Sequence, residues 1–339
     1  MPEKLWVPPP PPGGSKPKRE PRAGGGRKTQ KTRSTGGKRV LLPAVGLVLG
    51  LLLVCLLVAM VPALLLAREG GRTNLLVVGI DRRSGTGWTY RTDTIMVVTM
   101  DRGTQAAGIL SIPRDLQIPI PGHGADRINT ANVYGERQDY PGGGPGLLKA
   151  TIETNFRIPM DGYLMVDFDT FVRIVDALGG IDIDVPKVLH DTRYPDPRPG
   201  DPHAFKTIHF DRGLQHMDGQ RALQYARSRM STSDFDRAER QQQILVALRN
   251  RALEPSSIPR WPLLVRTVLD GLRTDLGLRE LLTLAIVAVQ VDASSIERLV
   301  LEPPMVNGHR RADGAAVQLP NWDRINPRLD EMFGPRLAR

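Results

Sequence analysis

Residues 74–112 read NLLVVGIDRRSGTGWTYRTDTIMVVTMDRGTQAAGILSI and contain three apolar runs separated by polar segments. The runs are NLLVVGI at 74–80, TIMVVTM at 94–100 and AAGILSI at 106–112. A continuous apolar run of this length is typical of a strand that is buried on both faces, because a helix usually needs a longer segment. We therefore predict three buried strands at the start of the folded domain.

The residues that follow alternate between helical and strand patterns. Apolar residues recur at helical spacing within 147–156 and 171–178, and a long helix with a polar face is predicted from about 235 to 253. Strand candidates lie between these helices, so the pattern predicts a sheet covered by helices. Because no linker-like stretch longer than about 15 residues separates these parts, we predict that residues 74–339 form one domain.

The first 73 residues differ in composition from the rest. Residues 1–39 are rich in Pro, Gly and charge, which predicts a disordered basic tail because little apolar surface is available for burial. Residues 40–67 carry no charge, and as a helix of about 42 Å they would cross a hydrocarbon core of about 30 Å. We predict a transmembrane helix there and a short linker at 68–73. A cleaved signal peptide is the alternative, although its apolar segment of about 7 to 15 residues would be shorter.

The charge distribution predicts the orientation of the chain and bears on its partners. The formal net charge is +10, and residues 1–39 supply most of it, with 11 Lys or Arg against two Glu. Basic residues before the span place the N-terminus in the cytoplasm and the domain outside the membrane. Since the rest of the chain is almost neutral, we expect no nucleic acid partner. A membrane-anchored transcriptional regulator or attenuator that uses the tail is an alternative, although no helix-turn-helix pattern is evident.

Charged residues stand at the ends of the predicted strands. Asp81, Arg82 and Arg83 follow the first strand, and Arg91 and Asp93 precede the second. Ligands of α/β proteins bind at strand ends, where two carboxylates on adjoining strands can share a divalent cation. Mg²⁺ takes few carboxylates and completes its shell with phosphate oxygens and water, so this pair suits Mg²⁺ or Mn²⁺ bound with a phosphorylated substrate. The alternative is that these Asp and Arg residues pair with each other at the surface.

A second charged cluster spans the segment ARSR and the helix after it. Arg237 and Gln241 are four residues apart and share a helix face, so both can reach one ligand. Arg227 and Arg229 cannot share a face of a regular helix, which favours a turn that directs both at one target. Guanidinium groups match phosphate oxygens with paired hydrogen bonds, so the cluster suits a phosphate or pyrophosphate group.

Seven short segments together form a recognisable pattern. They are VGIDRR (78–83), RTDTIMVV (91–98), SIPRD (111–115), RIN (127–129), VDALGGIDIDV (175–185), GQRALQYARSR (219–229) and DFDRAERQQQ (234–243). In content and order they resemble the LytR-CpsA-Psr family over residues 74–255. This resemblance implies an α/β domain with a central mixed β-sheet covered by helices on both faces, preceded by one transmembrane helix.

The same resemblance implies an enzyme of cell wall assembly. Its activity would be phosphotransfer of a polyprenyl-pyrophosphate-linked glycopolymer, such as a teichoic acid, capsule or other wall polysaccharide, to a peptidoglycan hydroxyl. Asp81 and Asp93 would hold Mg²⁺ and would be catalytic. Arg91 and Arg114 would join them, with Asp115 more suited to orient Arg114 than to act as a base. The pyrophosphate would be bound by Arg83, Arg127, Arg227, Arg229, Arg237 and Gln241. A pyrophosphatase that uses water as the acceptor is an alternative.

A lipid-linked substrate also requires shelter for its prenyl chain. We predict an apolar groove between the sheet and one helix, lined by Phe171, Val172, Val175 and Leu178. The alternative is an ordinary core stripe, because apolar residues at helical spacing usually pack against a sheet. The predicted phosphate-binding face of the helix that carries Arg237 also has an alternative interpretation. In that interpretation Asp236 and Arg240 form an exposed ion pair and the face is merely solvated.

Overall fold

The computed structural model describes residues 71–82, 90–196, 201, 203–228 and 233–334. The predicted tail at 1–39 and the predicted transmembrane helix at 40–67 lie outside these residues. Within the described ranges, no helix has both the length and the apolar character that crossing a membrane requires. The bounds of the tail, the span and the linker therefore stay predictions.

Strands and helices alternate along the described chain. The strands are β1 (Arg72–Ile80), β2 (Thr92–Asp101), β3 (Ala107–Ser111), β4 (Gln117–Ile120), β5 (Gly124–Arg127), β6 (Gly162–Asp167), β7 (Ile181–Val185), β8 (Leu189–Pro195), β9 (Phe205–Phe210), β10 (Gly213–Met217), β11 (Arg273–Thr274), β12 (Glu297–Val300), β13 (Val306–Arg310) and β14 (Ala316–Pro320). The helices are α1 (Thr130–Arg137), α2 (Gly143–Phe156), α3 (Phe168–Ala177), α4 (Gly219–Arg227), α5 (Asp234–Leu253), α6 (Trp261–Gly271), α7 (Leu278–Gln290) and α8 (Trp322–Phe333). A 3₁₀ turn at Pro255–Arg260 precedes α6, and another at Ala293–Ser295 follows α7.

The central sheet has the strand order β11-β6-β1-β2-β3-β12. β1, β2 and β3 are antiparallel neighbours, whereas β6 lies parallel to β1 and β12 lies parallel to β3. The sheet is therefore mixed, as the family resemblance implied. The three strands predicted from the apolar runs are confirmed as β1, β2 and β3. The parallel pair β1–β6 is joined by a long crossover, because a tight hairpin turn cannot connect parallel strands.

Helices pack against both faces of this sheet. Leu76 and Val78 belong to a core cluster that includes Leu148 of α2 and Leu329 of α8. Leu75 points to the opposite face because side chains alternate along a strand, and there it clusters with Val287 of α7. α5 also crosses this second face and contacts β3 and β12.

A second core cluster lies beside the sheet and supports the helices of the site. It contains Val175 of α3, Phe210 of β9 and Tyr225 of α4, together with residues of the β7–β10 and β8–β9 pairs. α3 and α4 approach closely, since a Cβ atom at Gly219 would lie 2.3 Å from the carbonyl oxygen of Val172. Glycine is therefore required at the start of α4.

Candidate functional site

A cavity of about 540 Å³ lies between the central sheet and helices α3, α4 and α5. Its floor includes Val77, Met96 and Leu164, which are paired neighbours on β1, β2 and β6. Charged side chains enter its wall near the C-terminal ends of β1 and β6 and the start of β2. They are Asp81, Asp93, Arg114, Asp167, Asp191, Arg193, Arg227 and Arg237. The cavity thus combines an apolar interior with a charged end.

The β1–β2 ladder contains a bulge beside this charged end. Gly79 pairs with Thr94, but the next residue of β1 pairs with Thr92, so Asp93 is the extra residue. In a regular strand Asp93 would face the same side as Ile95, which belongs to the core cluster on the opposite face. Asp93 instead lines the cavity. A Cβ atom at Gly79 would lie 3.1 Å from the Thr94 side chain, so glycine allows this close pairing.

Two ion pairs connect the predicted metal carboxylates to arginines of the predicted site, one predicted to be catalytic and one predicted to bind the pyrophosphate. The carboxylate of Asp93 accepts a hydrogen bond from Arg114. Nη2 of Arg227 lies 3.3 Å from Oδ2 of Asp81, and its guanidinium carbon lies 4.2 Å from the centre of the Phe168 ring. Both arginines are therefore held in the cavity wall. The two aspartates come from adjacent strand ends, as the sequence predicted.

A third ion pair was not anticipated from the sequence. Arg82 donates from Nε and Nη2 to Oδ2 of Asp167, at 3.0 and 2.6 Å. Asp167 also caps α3 by accepting a hydrogen bond from the Thr170 backbone at 2.8 Å. Burial raises the pKa of Asp167, but the hydrogen bonds from Thr170 and Arg82 outweigh burial and hold the pKa below its ordinary value. Asp is a common N-cap residue, so its position between a predicted strand and a predicted helix was a signal from which the capping role of Asp167 could have been predicted.

Buried polar contacts fix the end of α4, where Arg227 lies. Arg240 is buried and donates to two backbone carbonyls, those of Tyr225 at 3.0 Å and Ser228 at 2.6 Å. The Ser228 hydroxyl donates to the buried carboxylate of Asp191 at 2.8 Å. These bonds hold the residues on either side of Arg227, so Arg240 supports the site without lining the cavity.

The alternative of an exposed Asp236–Arg240 ion pair is wrong. Arg240 is buried against α4, whereas Asp236 accepts a hydrogen bond from Lys187 at 2.7 Å. Asp236 also forms a capping box with Ser233 at the start of α5. Hydrogen bonds from Lys187 and Ser233 hold the pKa of Asp236 well below its ordinary range. Asp236 therefore fixes the start of the helix that carries Arg237.

Arg237 and Gln241 both line the cavity from α5, as a shared helix face requires. Arg237 is buried and lies 2.6 Å from Asp234. Gln241 donates to the Ala226 carbonyl at 3.4 Å. Gln241 thus connects α5 to the end of α4, whereas Arg237 is held by a residue of its own helix.

Two predicted site residues do not line the cavity, and two others lie outside the described residues. Arg91 is exposed just before β2. Arg127 donates from Nε and Nη2 to the Ala316 carbonyl, at 3.1 and 2.5 Å, and so contacts β14. Arg83 and Arg229 lie outside the described residues. The proposed contacts of all four with a pyrophosphate stay predictions.

A smaller cavity of about 190 Å³ adjoins the first and shares Asp93, Arg114 and Arg237 in its wall. Asp115 also lines this smaller cavity, and burial raises the pKa of its carboxyl group. Arg114 is oriented by its ion pair with Asp93. Asp115 was predicted to have that orienting role.

The predicted lipid groove is only partly matched by the cavity. Phe171 lines it, but the other lining residues of α3 are Phe168 and Ile174. Val175 is fully buried in the second core cluster, and Leu178 is buried at the end of α3, so neither lines the cavity. Val172 lies against α4. The prediction for these three residues is corrected, because the part of α3 that faces the cavity differs from the part with the strongest apolar spacing.

The chain was compared with protein families and curated proteins. The LytR_cpsA_psr family profile matches residues 60–332. The polyisoprenyl-teichoic acid–peptidoglycan teichoic acid transferase TagV of Bacillus subtilis is 32% identical over 213 residues, 62% of this chain and 51% of that protein. The transferase TagU of Oceanobacillus iheyensis is 32% identical over 223 residues, 65% of this chain and 63% of that protein. The chain thus spans about half to two thirds of the length of these relatives.

Solved structures match this chain over a larger share of their own length than the curated proteins do. The crystal structure of B. subtilis TagV aligns with a TM-score of 0.62 and 27% identity, over 79% of this chain and 98% of that chain. The structure of TagT bound to LIIa-WTA aligns with a TM-score of 0.61 and 25% identity, over 79% of this chain and 93% of that chain. The mixed α/β fold is therefore the fold of these proteins.

Proposed function

The chain belongs to the LytR-CpsA-Psr family, and we propose that it transfers a polyprenyl-pyrophosphate-linked glycopolymer to peptidoglycan. One observation carries the proposal, which is that arginines and carboxylates gather at one end of an otherwise apolar cavity. A lipid pyrophosphate has the same division, with a charged group attached to a long hydrocarbon. TagV and TagU are polyisoprenyl-teichoic acid–peptidoglycan teichoic acid transferases, which supports the same substrate class for this chain.

The arginines of the cavity suit the two phosphates. Arg114, Arg227 and Arg237 reach the wall from the segment after β3, the end of α4 and the first turn of α5. Each guanidinium can give paired hydrogen bonds to phosphate oxygens and retains its charge at any physiological pH. Partly exposed ion pairs with Asp93, Asp81 and Asp234 hold these side chains before the substrate arrives, which lowers the ordering cost of binding.

The reaction then requires mainly positioning and charge neutralisation. The oxygen of a peptidoglycan hydroxyl attacks the phosphorus that carries the glycopolymer, and the bond from this phosphorus to the bridging oxygen breaks. The electron pair leaves with the polyprenyl phosphate, and the hydroxyl proton passes to a base or to water. The product is a phosphodiester between the glycopolymer and the glycan strand. Arg114, Arg227 and Arg237 would stabilise the charge that develops on the phosphoryl oxygens and the leaving group.

Asp81 and Asp93 would hold Mg²⁺, or Mn²⁺ in its place. Both carboxylates line one cavity from adjacent strand ends, and the bulge is what brings Asp93 there. The described residues contain no group of three or more acidic, His or Cys side chains suited to a metal. Two carboxylates fit a cation that completes its shell with substrate phosphate oxygens and water. Such a cation would neutralise charge on the pyrophosphate.

The cellular arrangement follows from the sequence predictions. We propose that the basic tail is cytoplasmic, that one helix spans the cell membrane, and that the catalytic domain lies outside it. The substrate lipid and the peptidoglycan acceptor are then available on the same side of the membrane as the cavity. Protease added to intact spheroplasts should digest the domain, whereas protection of the domain would contradict this orientation.

Product analysis tests the activity. The full chain, a polyprenyl-pyrophosphate-linked saccharide and a peptidoglycan oligomer should together yield a saccharide phosphate attached to the glycan, as detected by mass spectrometry. Release of free saccharide phosphate with no glycan-linked product would instead indicate the pyrophosphatase. Replacement of Arg114 by Ala should abolish transfer, whereas Arg328→Ala on the exposed side of α8 should not, since Arg328 lies outside the cavity.

A further inference from the structure

Helices α6 and α7 carry exposed apolar side chains in regular stripes. On α6, Trp261, Val265 and Leu269 are four residues apart and are 43%, 52% and 53% exposed. On α7, Leu278 and Leu282 are also four apart and exposed. Among the described residues, the exposed large hydrophobic side chains fall mostly within 258–289, and the others are Val188, Phe205 and Leu214. Single exposed hydrophobic residues are ordinary, but a concentrated patch indicates an interaction surface.

The same two helices are held to the domain by their other faces. α6 packs on α3 through its half-buried positions, and no residue of α6 is fully buried. α7 contributes Val287 to the cluster with Leu75 of β1. Each helix is therefore apolar on two sides, and one of these sides is left open within the described chain.

α7 packs beside the start of β1, the strand that follows the predicted membrane span. The span is predicted to end at residue 67, and β1 begins at Arg72. Five residues of extended chain reach at most about 17 Å, so a span that ends at residue 67 would keep the first residues of β1 close to the bilayer surface. Because Val287 clusters with Leu75, α7 lies beside this membrane-proximal end of β1.

The apolar part of the cavity leads towards the same helices. Asp81 marks its charged end, and Val77, which also lines the cavity, lies four residues nearer the start of β1. Leu272, directly after α6, lines the cavity together with Leu248 of α5. The apolar end of the cavity thus adjoins the end of α6, and it lies on the same sheet face that α7 packs against.

We propose that α6 and α7 form a docking surface for the outer leaflet of the membrane. The docking surface consists of Trp261, Val265, Leu269, Leu278, Leu282 and Val289. Trp prefers the membrane interface, and the exposed Arg266 and Arg279 flank the stripes where anionic headgroups would lie. Docking brings the apolar end of the cavity to the lipid from which a prenyl chain enters. The choice of the outer leaflet rests on the proposed topology, and this last consequence rests on the proposed activity.

Lipid quenching of a site-specific fluorophore tests the docking surface. The full chain is prepared with Cys55→Ser and one new cysteine, from Val265→Cys or Leu282→Cys, and is labelled with an environment-sensitive dye. It is reconstituted into vesicles of phosphatidylethanolamine and phosphatidylglycerol that contain spin-labelled lipid. Leu214→Cys is the matched control, because Leu214 is 76% exposed on β10, away from these helices.

We expect quenching at 265 and 282 to be several-fold stronger than at 214. Equal quenching at all three positions would overturn the proposal. A blue-shifted dye that lipid does not quench, and whose shift grows with protein density, would show that a second copy covers the surface and would also overturn it. Since no substrate is present, the result does not depend on the transferase activity.

A kinetic comparison separates docking from catalysis. The double variant Val265→Ser with Leu282→Ser should lose about tenfold in transfer from a long-chain lipid embedded in vesicles. The same variant should match wild type on a short-chain, water-soluble analogue, because neither residue lines the cavity. An equal loss on both substrates would assign the two residues to the fold of the domain and would contradict the docking role.

Discussion

Arg227→Lys is the most informative single change in the site. Arg227 lies 3.3 Å from Asp81 and packs over Phe168, and its guanidinium is in the cavity wall. Lysine keeps the positive charge but replaces a planar fork with a point charge, so at least one hydrogen bond to a phosphate oxygen is lost. The variant therefore tests geometry separately from charge.

The size of the effect follows from the contacts. A hydrogen bond to a charged group contributes about 1.5–3 kcal/mol, and about 1.4 kcal/mol corresponds to a tenfold change in rate. We expect kcat/KM for transfer to fall by about 10- to 150-fold. The Arg227–Asp81 pair is partly exposed, at 28% and 50%, so its contribution to folding stability should be at most about 1 kcal/mol. The melting temperature should accordingly change by no more than about 4 °C.

The assay is initial-rate transfer from a lipid-linked saccharide to a peptidoglycan oligomer, with melting temperature recorded for the same preparations. Arg328→Lys, at an exposed ion pair on α8, is the matched control and should leave both quantities unchanged. Wild-type kinetics in Arg227→Lys would refute a role for the guanidinium fork. A large fall in melting temperature would show instead that the arginine acts through the fold.

Three further predictions concern the metal, the lipid and acid stability. Asp93→Asn should abolish transfer, and EDTA should abolish transfer by the wild-type protein. The control Asp101→Asn, at the other end of β2, should retain metal-dependent activity. Full activity in EDTA would contradict the metal site. Ile174→Trp should weaken long-chain substrates while sparing a short-chain analogue, because Ile174 lines the cavity. Val175→Trp should instead lower stability by about 1–3 kcal/mol by overpacking the core, as measured by denaturant unfolding, and unchanged stability would contradict its burial. Asp167→Asn should reduce the melting temperature at pH 7, and this deficit should shrink as the pH falls below about 4. The pKa of Asp167 is lower in the folded state than in the unfolded state. Its carboxylate therefore stabilises the fold at pH values above the unfolded-state pKa of about 3.9, and this stabilisation is lost as the pH falls through the folded-state pKa. A deficit that does not change with pH would argue against this titration.

Local patterns in the sequence were sufficient for several elements of the fold. The apolar runs at 74–80 and 94–100 became β1 and β2, because buried strands of a central sheet need little polar surface. The spacing of Arg237 and Gln241 placed both on one face of α5, and both line the cavity. The ordered motifs identified the family, which the profile match then showed over residues 60–332.

Other features depend on contacts between distant parts of the chain. Ile174 and Val175 are adjacent and both apolar, so only the packing of α3 decides which faces the cavity and which enters the core. Arg240 and Asp236 have the spacing of a helical ion pair, yet α4 buries Arg240 and Lys187 binds Asp236. Spacing along one helix carries no information about the partner that approaches it.

The sequence by itself determined which residue types the site would contain and that they would gather at strand ends. Tertiary structure decided their orientation and partners. Asp93 reaches the cavity through a one-residue bulge against β1, and Arg82 meets Asp167 because β6 lies parallel to β1 across a long crossover. The physical reason is that strand register and the order of strands in a sheet are set by long-range hydrogen bonding and core packing. The local alternation of side chains is the same whichever strands pair.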